Sequence, residues 1–176
     1  LGGGGGSSGG LQSYGLMESD FTTSASTLPG ALQGSIVAVV GNTIYSFGGS
    51  GTNVIYSAPV SSPTTWTDTG ATLPGVLSDS QLAIIGGTIY LFGGSGAVNP
   101  TNVIYSAPVA TPTVWGNTGA TIPANLASSS LAVIGNNIYL FGGNLSGTGT
   151  NAIYTATTSA PTVWSTSGST LPAALY

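Results

Sequence analysis

Apolar positions in this chain fall in short runs separated by turn residues, and the runs come in sets of four. The first run of each set is 35–40, 80–85 or 129–134. The second is 43–48, 88–93 or 137–142. The third is 53–58, 102–107 or 151–156. The fourth surrounds a tryptophan at 63–68, 112–117 or 161–166. The runs are rich in Ile, Val, Thr, Tyr and Phe, and none has the length of an ordinary helix, so each predicts a β-strand. The first and second runs are joined by Gly41-Asn42, Gly86-Gly87 and Gly135-Asn136. Two-residue linkers of this kind favour hairpins, because primed turns need positive φ. Pro63, Pro112 and Pro161 open the fourth run. A missing N–H does least harm on an edge strand, so the fourth run is expected at the edge of its sheet.

The sets are internal repeats. Trp66, Trp115 and Trp164 recur every 49 residues, and Tyr56, Tyr105 and Tyr154 keep the same step. Residues 52–60 and 101–109 are both TNVIYSAPV. Each tryptophan is followed six residues later by Thr-Leu-Pro or Thr-Ile-Pro. Thr27-Leu28-Pro29 follows Phe21 at the same distance, so Phe21 takes the tryptophan position of an earlier half-unit. Four antiparallel strands repeating every ~50 residues describe a propeller blade.

Gly48-Gly49, Gly93-Gly94 and Gly142-Gly143 each follow a phenylalanine and close the second run. With the tyrosines and tryptophans that follow, they resemble the kelch repeat. The resemblance covers 27–176 and implies an all-β, kelch-like β-propeller. Its loops depart from the family in carrying almost no charged residue. Units are assigned to 27–71, 72–120 and 121–169. A Gly-rich segment and degenerate half-blade precede them at 1–26, and 170–176 leads into a further blade. The glycines at 2–6 and 9–10 read either as a linker or as a substitute second strand. Kelch propellers close with about six or seven blades. A piece of a longer propeller is therefore expected, with closure by a second copy, giving a blade sum of seven, as the alternative. The chain opens on Leu1 rather than Met, as a trimmed or partial sequence does, and no signal-peptide pattern is read in it.

Composition narrows function. The chain has no Lys, Arg, His or Cys; its charges are Glu18, Asp20, Asp68 and Asp79, for a net −4. Thiol, imidazole and Schiff-base chemistry are excluded from this segment. No cation clamps a phosphate, so nucleic acid is not an expected partner. No stretch is apolar enough for a transmembrane helix: 82–98 is interrupted by five glycines. With 41% hydrophobic residues the chain is nevertheless not of disordered composition. The His and Cys-linked Tyr of kelch-like copper oxidases and the arginines of sialidase-like propellers have no counterparts here. No enzyme activity, cofactor or metal is expected. Glu18 and Asp20 fall far short of a calcium shell, and Asp68 with Asp79 is the one conceivable glycosidase-type pair.

The loops joining the second and third runs vary most. Those of the later two units are four residues longer. Variable loops on a rigid frame commonly carry binding, which makes Ser50, Gly51, Thr52, Ser95, Gly96, Asn99, Thr101, Asn144, Ser146, Thr148 and Thr150 candidate contact residues. The alternative is neutral drift. The tryptophans are expected to pack between blades rather than to stack on sugars, and Tyr45, Tyr90 and Tyr139 of the second run are expected to be packed as well. Asn144-Leu145-Ser146 is the sole glycosylation sequon.

Three functions are weighed. The first is a structural or attachment module in an extracellular, cell-surface or virion-surface assembly, with protein partners (itself or other subunits) ahead of glycans. The second is a soluble kelch interaction module. The third is part of a larger carbohydrate-binding or carbohydrate-processing propeller. So little charge leaves little repulsion between molecules. Self-association is therefore expected to be the same at low and high salt. Sedimentation velocity at about 20 mM and 1 M NaCl, either side of strong screening, checks this.

Overall fold

The computed structural model describes residues 26–175, which form strands, turns and connections with no helix. The first sheet contains β1 (Ile36–Val40), β2 (Thr43–Gly49), β3 (Thr52–Pro59) and β4 (Thr67–Thr72). The second contains β5 (Gln81–Ile85), β6 (Thr88–Phe92), β7 (Val103–Pro108) and β8 (Gly116–Thr121). The third contains β9 (Ser130–Ile134), β10 (Asn137–Phe141), β11 (Thr150–Thr157) and β12 (Ala160–Leu175). Each sheet is antiparallel with its strands in chain order. The fold is all-β and its sheets are propeller-like blades, called blades 1, 2 and 3 below; the described residues do not close a ring. The half-unit before residue 26, with Glu18, Asp20 and Phe21, lies outside the described residues.

Hairpin chemistry acts where the sequence places it. Val40 pairs with Thr43 across Gly41-Asn42, and Ile85 with Thr88 across Gly86-Gly87. Gly41 takes a φ of 59° at the first loop position, as a II′ turn requires. Gly86 and Gly87 are both positive, as in I′.

The fourth strand differs from expectation. In blades 1 and 2 it starts after the tryptophan, at Thr67 and Gly116, not at the proline. Pro63 instead fills the second position of a turn in which the Thr65 amide donates to the Ser62 carbonyl at 3.0 Å. Proline's preset φ suits that position. Pro112 repeats the arrangement, with the Val114 amide donating to Thr111. In blade 3 the position of Pro59 and Pro108 is taken by Thr157, which pairs with Ala160. There β12 starts earlier and runs through Pro161 and Trp164 in one long, bulged strand.

Period-two alternation gives every blade two packing faces. One face of blade 1, with Ala38, Phe47 and Ile55, meets Leu91 and Tyr105 of blade 2 across Leu73 and Leu77 of the connection. One repeat later, Ala83, Phe92 and Ile104 meet Leu140 and Tyr154 across Ile122 and Leu126. Trp115 stands edge-on to Phe47, and Trp164 to Phe92, each with ring centres 5.0 Å apart. Such aromatic pairs add about 0.5–1.5 kcal/mol beyond their buried area. Each indole N–H donates to a proline carbonyl three residues earlier, Trp115 to Pro112 and Trp164 to Pro161.

The double glycines join these layers. The Gly49 amide donates to the Leu77 carbonyl at 2.9 Å, Gly94 to Leu126 at 2.7 Å and Gly143 to Leu175 at 3.1 Å. A Cβ on Gly93 would collide with the Leu126 carbonyl, and its φ of 59° is left-handed besides. Gly93→Ala is expected to cost about 2–3 kcal/mol, from backbone strain plus a forced backbone shift. Gly116→Ala, where a Cβ meets nothing, is expected to cost under about 0.5 kcal/mol. Chemical denaturation of the two variants makes the comparison.

Candidate contact face

The loops between second and third strands share one face with the connections between blades, and backbone hydrogen bonds tie the two together. The second loop pairs with the connection before it. Ser78 and Ser95 exchange both amide–carbonyl bonds, at 2.7 and 2.9 Å. Through Gly94 it also binds the connection after it. The third loop repeats this, with Asn144 and Ala127 exchanging bonds at 2.7 and 3.1 Å. In the first, the Ser50 amide donates to Gln33 at 2.8 Å. A backbone ladder also links the connections: Asp79 N–H donates to Gly34, and Ser128 N–H to Asp79. All three residues have positive φ.

The inserted residues of the two longer loops fold alike. In the second loop, Ser95 pairs with Pro100, the Gly96 amide donates to Asn99, and the Thr101 amide donates to Gly94. In the third, Asn144 pairs with Gly149, the Leu145 amide donates to Thr148, and the Thr150 amide donates to Gly143. Both are miniature hairpins with four-residue tips. Their apolar residues differ in direction. Leu145 packs against the core between blades 2 and 3. Val98 is 87% exposed. Sequence reasoning missed Val98 because it sought aromatic or charged anchors; a lone valine between Gly96 and Pro100 carried no such signal.

The first loop is short. Gly49 pairs with Thr52 across Ser50-Gly51, and the Thr52 hydroxyl accepts from the Val54 amide at 3.1 Å. Thr150 does the same for Ala152. The candidate contact residues thus lie on one face, but part of their polar capacity serves their own loops. Asn144 is the clearest case: its side-chain oxygen accepts from the Gly147 amide. The sequon side chain is folded over its own tip.

The remaining sequence candidates separate by role. Tyr45, Tyr90 and Tyr139 stack on Phe47, Phe92 and Phe141 with ring centres 5.8–6.0 Å apart. Trp115 and Trp164 are committed between blades. Trp66 has no ring partner among the described residues. Asp68 and Asp79 each have a local task. The Asp68 carboxylate accepts from the Gly70 amide at 2.8 Å, as Asn117 accepts from Gly119 in blade 2. An amide oxygen fills the role as well as a carboxylate, so a turn needs the residue rather than its charge. Asp79 accepts from its neighbour Ser78. Among the described residues, no group of three or more His, Cys, Asp or Glu is placed to hold a metal.

Comparison of the sequence with known family models gives no match, and comparison with curated proteins gives none.

Tyr105 and Tyr154 are buried in the two inter-blade cores, and burial holds their phenols above the ordinary value. Below the ordinary tyrosine pKa of about 10, both folded and unfolded states keep these protons and stability is unaffected. Above it, the unfolded chain ionises while the buried phenols resist, so stability falls as pH rises. With no His, Cys or Lys in the sequence, thermal melting is expected to be level from about pH 6 to 9 and to drop beyond about pH 10. Phenylalanine at both positions should shallow that drop, as melting curves of the double variant would show.

Proposed function

We propose that the chain is part of a kelch-like propeller serving as a non-catalytic contact module in an extracellular, cell-surface or virion-surface assembly. The observation supporting this reading is the loop face. Two similar hairpin tips are clamped by backbone bonds to the connections on either side, and one of them presents Val98 outward. A rigid loop loses little conformational entropy on binding. Apart from the exposed carboxylate of Asp79, the face is uncharged and polar around an apolar point, which suits a protein partner recognised by shape. A glycan is the less favoured ligand, because the aromatics of blades 2 and 3 that would stack on a sugar ring are occupied between blades.

An antibody against the Val98 loop is expected to label intact source cells or particles. Labelling only after permeabilisation would reject the surface assignment. Purified chain is expected to rebind the surface from which it was stripped. Val98→Asp should bind about fivefold more weakly, the equivalent of about 1 kcal/mol lost with one apolar anchor.

A further inference from the structure

The inter-blade junction occurs twice within the chain, and each end of the described blades presents one half of a third. At the blade 3 end, β9, β10 and β11 repeat the face that blades 1 and 2 bury. Phe141 and Ile153 stand where Phe47 and Ile55, and then Phe92 and Ile104, are sealed, yet both are only half-buried. The Leu175 backbone is bonded to Gly143 as Leu77 is to Gly49. Its side chain is 48% exposed, against 1% for both Leu77 and Leu126. The connecting strand is therefore in place over a core that lacks its second wall.

At the blade 1 end the complementary half lacks a second wall among the described residues, although Ser46 on it is buried. Ile44 and Tyr56 are half-buried, whereas their equivalents Ile89 and Tyr105 are buried. Val37 is exposed. Trp66 lacks, among the described residues, both the phenylalanine and the proline-carbonyl partner that Trp115 has.

We propose that these two faces dock on each other between two copies of this chain, head to tail, with Trp66 of one copy edge-on to Phe141 of the other. The occupant follows from continuity with the existing junctions. The face that fits blade 3 is the face that fits blades 1 and 2, and among the described residues blade 1 carries it without a neighbour. The contact is heterologous, since different patches meet. It contains no charged side chain among the residues named, so salt neither drives nor weakens it.

The test uses the full 176-residue chain. Sedimentation velocity over a range of concentrations is expected to show self-association. Phe141→Glu and Trp66→Glu are each expected to weaken it about tenfold or more, as loss of a central aromatic anchor does. Mixing the two variants restores association, because one intact Phe141 then meets one intact Trp66. Recovery on mixing also shows that both variants fold. Three results would overturn the proposal. One is a wild-type chain that stays monomeric. The second is a Trp66→Glu variant that associates like wild type, which would mean that blade 3 faces meet each other. The third is no recovery on mixing of variants whose circular dichroism matches wild type.

Discussion

The architecture depends on how closely two backbones approach at each double glycine. There the end of the second strand meets the connection leading to the next blade, amide to carbonyl, at 2.7–3.1 Å. A side chain at the first glycine would occupy the space that the connection needs. Once the seam forms, the leucine it holds, Leu77 or Leu126, points between blades and becomes part of both walls. The seam thus sets blade stacking as well as loop position. Because it is made of backbone groups, it is indifferent to the side chains around it, and the loops are free to vary in length without moving the frame.

That indifference explains how a folded chain manages with so little charge. Turns elsewhere in proteins often use aspartate as a local acceptor. Here Asp68, Asn117 and Ser167 each accept from the amide two residues on. A carboxylate, an amide oxygen and a hydroxyl perform one geometric task. Hydroxyls likewise settle Thr69 and Thr118, which donate to the Ile55 and Ile104 carbonyls of the adjoining strand at 2.7 and 2.8 Å. Ser46 is the exception: its hydroxyl is buried without a described partner. An unsatisfied buried hydroxyl costs about 1–3 kcal/mol.

What the sequence disclosed followed from repetition. The first three strands of each unit, the hairpin glycines and the aromatic packing were legible because the same residue types returned at one spacing. In units 1 and 2 the start of the fourth strand was misplaced, because Pro63 and Trp66 recur as faithfully as strand residues do although they precede the strand; in unit 3 Pro161 and Trp164 lie within it. Repetition marks that a position matters without saying which element it serves. The partners of the double glycines were hidden for a different reason. A carbonyl has no residue-type signature, so Leu77 and Leu126 became visible only in three dimensions. Val98 was hidden because inserted residues have no counterpart in the shortest unit. The two insertions then diverge, one turning Leu145 inward and the other Val98 outward.

Near-identical repeats have a cost at their ends. Every blade is shaped to be covered on both faces, so the terminal blades of any open segment carry apolar faces made for a neighbour. Repeat proteins usually blunt such faces with polar caps. Blade 1 shows a partial version of this. Val37 and Ser46 occupy positions where blade 2 has Leu82 and Leu91 and blade 3 has Leu131 and Leu140. Each buried methylene removed is worth about 0.8 kcal/mol, so two leucines reduced to valine and serine weaken any junction made there by a few such increments. The same aromatic pair would define a junction between chains, but its aliphatic surround is thinner than within one. A contact of that kind would form and dissociate reversibly, whereas the two internal junctions are reinforced by the glycine seams and by chain continuity.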